Sequence, residues 1–130
     1  MALRLATSPE INHEELRALY AAAWPNDVLP RFDRVLERSL VYVCAYLCDR
    51  LVGFVNVAWD GGSHAFLTDP TVHPHFQRQG IGTALVQKAV EDAGKRQAKW
   101  LHVEHVPQLA PFYARCGFRP TSAGVVQLGT

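Results

Sequence analysis

The stretch Val72 to Leu85, VHPHFQRQGIGTAL, constrains the fold more than any other part of the chain. It reads as the end of a strand, a glycine-bearing turn and the start of a helix. From Ile81 the apolar residues Leu85, Val86, Ala89, Val90 and Ala93 recur at helical spacing, and Gly94 supplies a stop signal. One face of this helix is therefore expected to be buried. Gly80 and Gly82 remove side chains where the first-turn amides have no partner inside the helix. Free amides and an outward-pointing dipole suit an anion, best a phosphate or pyrophosphate. On the glycines alone a second reading stands equally: they let a strand turn tightly into a helix packed close to the sheet. Arg78 fits an anion or water alike. The chain has neither G-x-G-x-x-G after an early strand nor G-x-x-x-x-G-K-[ST], so no dinucleotide fold or Walker loop is indicated.

A chain of 130 residues, 48% hydrophobic and 19% charged, is long enough for one domain with a proper core. Its net charge of +1 creates no general field for nucleic acid or an anionic membrane, so neither is expected as a partner. The apolar run in Met1 to Thr7 is too short for a signal peptide, and no stretch approaches transmembrane length; a cytoplasmic location is the default expectation. Cys44 and Cys48 fall in what reads as one strand, roughly 13 Å apart at strand rise and too far to bridge. With Cys116 they read as small core residues. His73-Pro74-His75 has no carboxylate or cysteine at ligand spacing, so no metal site is expected.

The remaining elements follow in order. Leu3 to Ala6 reads as a short strand. Asn12 caps a helix with Glu15 at its third position, carrying Leu16, Leu19, Tyr20 and Ala23 on one face and ending at Trp24-Pro25. A loop with two prolines and the exposed acid Asp27 leads to a second helix over 31–39, with Phe32, Val35 and Leu36 inward. Leu40 to Cys48 and Leu51 to Trp59 form a hairpin through Asp49-Arg50. His64 to Thr68 is a strand interrupted by Pro70, which cannot donate to a ladder, so a bulge is expected near Asp69 to Thr71. Lys99 to Val106 alternates, with Trp100, His102 and Glu104 on one face and Leu101, Val103 and His105 on the other. Pro107 to Cys116 is a short helix stopped by Gly117. Arg119 to Thr130 suffices for one strand, or two very short ones broken at Ser122-Ala123-Gly124.

Two of these stretches carry a resemblance. Gln77-x-x-Gly80-x-Gly82, preceded by Val72-His73-Pro74, resembles the Q/R-x-x-G-x-G/A signature and its Val-x-Pro strand end in the GCN5-related N-acetyltransferase (GNAT) family. Pro111 to Phe118, PFYARCGF, resembles the family's second signature, FY-x-x-x-GF. Together they span the C-terminal half, and the order of elements before them also fits. The resemblance implies a single α/β domain over 1–130: a mixed, mostly antiparallel sheet, helices on both faces and a splayed cofactor cleft. It also implies that the backbone of Gln77, Arg78, Gln79, Gly80, Ile81, Gly82 and Thr83 cradles the pyrophosphate of acetyl-coenzyme A. The bulged strand would pair with the pantetheine arm, and the amides around Thr71 and Val72 are candidates for polarising the thioester carbonyl.

By the same resemblance Tyr113 protonates the leaving thiolate. Without it, Tyr113 reads as a tyrosine packed on the sheet with its hydroxyl bonded to backbone. For the base that takes the amine proton, Glu104 is the first candidate because ligands collect at the C-terminal ends of strands; His102 could assist, and Asp69 and His64 follow. Trp24, Asp27, Trp59 and His64 are candidate acceptor contacts, suited to a small amine with an apolar part, although a peptide terminus or lysine remains open. The expected reaction is acetyl transfer by direct attack in a ternary complex, with no metal and no acetyl-cysteine. A coenzyme A-binding sensor or interaction module without turnover is the alternative. Two departures from the family pattern stand out. Many relatives have an asparagine touching the cofactor where this chain reads Val106-Pro107-Gln108, and the segment after Phe118 is short, leaving an edge that suggests a homodimer.

Overall fold

Alternation of branched and aromatic residues in the middle of the chain produces a five-stranded sheet, in a computed structural model that describes residues 2–129. The elements are β1 (Leu3–Thr7), α1 (His13–Ala23), α2 (Phe32–Glu37), β2 (Ser39–Leu47), β3 (Arg50–Trp59), β4 (His64–Val72), α3 (Ile81–Lys95), β5 (Trp100–Val103) and α4 (Ala110–Arg115), with 3₁₀ turns at Pro74–Phe76 and Pro107–Leu109. The strands lie in sequence order. All neighbours are antiparallel except β4 and β5, which run parallel with α3 as their crossover.

Each face of the sheet has its own core. Val41, Val43 and Ala45 of β2 and Val55 and Val57 of β3 meet Ile81, Leu85, Val86, Ala89 and Ala93 of α3. The opposite face presents Cys44, Leu51 and Phe54 to Leu16, Leu19 and Tyr20 of α1 and Phe32 of α2. Full burial of such side chains stabilises by about 1.5–3 kcal/mol each. Strand alternation puts Gly53 on the α3 face with Val55 and Val57, where an added Cβ would stand 2.8 Å from Leu85 Cδ1 and 3.2 Å from Ile81 Cγ2. The glycine that lets α3 approach the sheet is thus Gly53, outside the signature.

Asn12 caps α1, its Oδ1 accepting from the Glu15 amide at 3.0 Å. The Glu15 carboxylate does not return the bond; it accepts from Leu51 N at 3.1 Å and pins α1 to β3. Several expected boundaries move. The hairpin turns at Cys48-Asp49, one residue early, with both at positive φ (48° and 62°), as a two-residue turn of right-handed twist requires. Cys48 is therefore exposed in a turn, whereas Cys44 and Cys116 are buried. Helix α3 runs past Gly94 to Lys95 and ends where Gln97 turns left-handed. Helix α2 is shorter than 31–39, and β5 stops at Val103 rather than Val106. Residues 119–129 form no strand and leave Val125, Val126 and Leu128 exposed. Gly117 ends α4 at φ 99°, with Phe118 N donating to Tyr113 O at 3.0 Å.

Candidate active site

The sheet opens because β4 and β5 stay together for only four residues. Their pairing runs from His64↔Trp100 to Leu67↔Val103 and stops. Beyond it β4 bonds only to β3, and there it bulges: Asn56 pairs with Thr68 and Phe54 with Thr71, so Asp69 and Pro70 together stand opposite Val55. Asp69 takes a left-handed φ of 55° to make the bulge. Pro70 sits where neither neighbouring strand requires its missing N–H. The bulge expected from Pro70 is thus present, and it marks the mouth of the splay.

One lip of the gap is the N-terminus of α3. Gln77 Nε2 donates to Val72 O at 3.0 Å, tying the loop to the end of β4. Gly80 caps the helix at φ 84°, which glycine adopts without cost, and an added Cβ would meet nothing within 4 Å. At Gly82 a Cβ would meet only ordinary contacts, Phe112 Cζ at 3.8 Å and Val72 Cγ2 at 3.9 Å. Protein packing therefore does not demand these two glycines. They leave a bare concave backbone, and the amides of Ile81, Gly82 and Thr83 have no acceptor inside the helix or among the other described backbone bonds. That cradle fits a pyrophosphate. Arg78, also at positive φ (63°), and Gln79 are exposed beside it.

The other lip is built by α4 and the chain entering it. Tyr113 is only 3% exposed, stacked on His105 (centroids 4.9 Å apart) and edge-on to Phe112 and Phe118. Among the described residues its hydroxyl has no hydrogen-bond partner, and no buried side-chain atom is left unsatisfied, so the hydroxyl opens onto free space. Burial, helped by the nearby Cys116 thiol, pushes its pKa above the ordinary tyrosine value. It therefore holds its proton at neutral pH.

The space it faces is a cavity of about 510 Å³ lined by Tyr20, Trp24, Asp27, Asp69, Pro70, Glu104, His105, Val106, Leu109 and Tyr113. Trp24 Nε1 donates to Thr71 Oγ1 at 3.2 Å, and Thr71 Oγ1 donates to Asp69 O at 3.0 Å, so the proline loop after α1 is fastened to the bulge. Burial raises the pKa of Asp69 above the usual carboxylate range. A second cavity, of about 550 Å³ beside Glu10, His13, Asp33, Glu37 and Tyr42, lies away from both lips.

Of the expected acceptor contacts, Trp24 and Asp27 line the cavity and Trp59 and His64 do not. His64 lies five residues before Asp69 on β4, about 17 Å at strand rise. There it stacks on His102, with Nδ1 and Nε2 at 2.8 Å, while Trp59 Nε1 donates to Gly62 O at 2.8 Å. These two belong to the paired end of the sheet, and His102 joins them rather than Glu104. Gln108 is exposed and outside the lining, between Val106 and Leu109, which are in it. Tyr20, read from sequence as a core residue, and Asp69, ranked below Glu104, both belong to the cavity. No group of three or more metal-ligating side chains occurs among the described residues.

A sheet split beside a bulge, with a bare helix N-terminus on one lip and an unpartnered hydroxyl of a buried tyrosine on the other, defines the class of N-acyltransferase folds. The chain belongs to the Acetyltransferase (GNAT) family, whose model matches residues 9–118. It is similar to the uncharacterized N-acetyltransferase ycf52 of Pyropia yezoensis, 25% identical over 126 residues that cover 93% of this chain and 72% of that protein. Among solved structures, a GNAT-family acetyltransferase from Streptococcus pneumoniae TIGR4 superposes with a TM-score of 0.80 at 26% identity, covering 98% of both chains. The aminoglycoside N-acetyltransferase AAC(6')-Iy, solved in complex with CoA, shares the fold at a TM-score of 0.77 and 16% identity, covering 98% of this chain and 95% of that one.

Proposed function

We propose that the protein transfers an acetyl group from acetyl-coenzyme A to a primary amine by direct attack in a ternary complex. The observation that carries this reading is the Tyr113 hydroxyl, which sits on a buried ring, is open to free space without a protein partner, and belongs to the helix whose Phe112 packs beside Gly82 and the free α3 amides. The pyrophosphate sits on the backbone of 77–83. The pantetheine arm pairs with the free edge of β4, as the missing strand partner after Leu67 allows. Amides around Thr71 and Val72 polarise the thioester carbonyl.

The amine nitrogen attacks the thioester carbon, the C–S bond breaks, and Tyr113 gives its proton to the departing thiolate. A carboxylate takes the proton lost by the amine. Glu104 and Asp69 both line the cavity, and Asp69 is the better placed. It lies two residues from the Thr71 amide, and burial raises its affinity for a proton above that of an ordinary aspartate. The thiols support direct attack, since burial holds Cys116 in its protonated form and pushes Cys44 up to about 12.

The test is release of coenzyme A from acetyl-coenzyme A in the presence of a panel of primary amines, with mass analysis of the amine product. Acetyl transfer to nitrogen is expected. Binding of acetyl-coenzyme A without transfer to any amine would leave a coenzyme A-binding module in place of an enzyme.

A further inference from the structure

The cavity beside Tyr113 contains more negative charge than one reacting amine uses. Asp27 from the loop after α1, Asp69 from the bulge and Glu104 from the chain after β5 all line it, and no lysine or arginine does. None of the three is in an ion pair among the described residues, and their carboxylates accept no hydrogen bond there. The acids that do have a cationic partner among the described residues, Asp33, Asp49, Glu91 and Asp92, lie outside this cavity; these three line it unpaired.

Two unpartnered hydroxyls on buried tyrosine rings point the same way. Tyr113 has been described. Tyr20 is 8% exposed, packs edge-on to Phe32, and its hydroxyl too is without a partner while reaching the cavity. Desolvation raises its pKa, and the charges of Asp69 and Asp27 raise it further, so both carboxylates act on this one spot. His105, also in the lining, has its Nδ1 taken by Val106 O at 2.7 Å and its ring stacked on Tyr113. The indole of Trp24, 42% exposed and held by Thr71, gives the cavity an aromatic wall of the kind that attracts an ammonium group.

An amine that reacts must give up its proton and its charge, and Asp69 serves that step. Asp27 and Glu104 are then left facing a neutral nucleophile, which does nothing to offset them. We propose that the acceptor is a linear diamine, whose second, non-reacting ammonium group is held by Asp27 and Glu104 against Trp24 while the first is acetylated. This rests on the acetyltransferase reading of the same site.

The experiment compares 1,4-diaminobutane with butylamine, equal in chain length and differing by one ammonium group. Calorimetry measures binding of each to the protein with and without saturating coenzyme A, and steady-state assays measure kcat/KM with acetyl-coenzyme A. Contacts from two exposed carboxylates together with the Trp24 face predict a preference for the diamine of about tenfold. In Asp27→Asn and Glu104→Gln the preference should fall while acetyl-coenzyme A affinity is unchanged. Equal binding of the two amines, or no diamine binding at all, overturns the proposal whether or not turnover is seen. Selective diamine binding without acetylation would uphold the cationic subsite and refute the catalytic reading.

Discussion

Replacing Tyr113 by phenylalanine separates chemistry from packing because the ring and the hydroxyl do different things. The ring touches His105, Phe112 and Phe118 and is almost fully buried, and phenylalanine retains those contacts. The hydroxyl bonds to nothing in the described protein. Its removal should therefore change stability by no more than about 0.5 kcal/mol. General acids typically contribute 10²- to 10⁴-fold, about 2.7–5.4 kcal/mol at 1.36 kcal/mol per decade. A thiolate of pKa near 8.5 is already a fair leaving group, so the lower part of that range, roughly 10²- to 10³-fold in kcat, is expected. The assay is coenzyme A release at saturating amine and acetyl-coenzyme A, with thermal unfolding and acetyl-coenzyme A titration on the same samples. Turnover within about threefold of the parent would refute the proton-donor role. An equal loss of affinity and turnover would make Tyr113 a structural residue.

Asp69→Asn should abolish most activity and yet raise the melting temperature at pH 7. Burial raises the folded-state pKa of Asp69, so the folded protein holds that proton more tightly than the unfolded chain. Its contribution to stability is full below the unfolded value near 3.8 and is lost as pH rises through the folded value; the gain from asparagine should vanish near pH 3. Circular dichroism melts at the two pH values check this, and a variant less stable than the parent at pH 7 would contradict it. Gly53→Val places methyl groups where a Cβ already stands 2.8 Å from Leu85, and should destabilise by about 1–3 kcal/mol in urea unfolding. The exposed Val125, Val126 and Leu128 predict a concentration-dependent homodimer through 119–129; gel filtration giving a monomer across a wide concentration range would dispose of it.

The parts of the fold legible in the sequence are those where one residue type admits few backbone solutions. Pro70 forced a bulge in β4, Gly117 stopped α4, and the 3.6-residue spacing from Ile81 marked α3. The hairpin register was less legible, because Cys48-Asp49 carries no Asn-Gly signal and its positive φ values are imposed by pairing between β2 and β3. The cradle could be read from Gly80 and Gly82 because it is local. The acceptor cavity is not local: it depends on which end of β4 parts from β5, and that is decided by where the Leu67↔Val103 pairing stops. His64 and Asp69 are both polar residues of one strand, and only the splay assigns the first to the paired end and the second to the open one. Tyr20 had no sequence signal distinguishing it from Leu16 and Leu19, its neighbours on the buried face of α1.

Calorimetric titration of acetyl-coenzyme A, with ATP and NAD run separately, into the protein and into Gly80→Asp tests the central claim most directly. Aspartate tolerates the left-handed backbone at this position, and a carboxylate suits a helix N-terminus, so the variant should fold. Its side chain would stand in the space the cradle leaves open and repel a pyrophosphate. Acetyl-coenzyme A alone of the three should bind the parent, and Gly80→Asp should lower the affinity at least about a hundredfold, or 2.7 kcal/mol, in a variant that still folds despite some backbone strain. Equal affinity in the folded variant, or no binding to the parent, would contradict the claim.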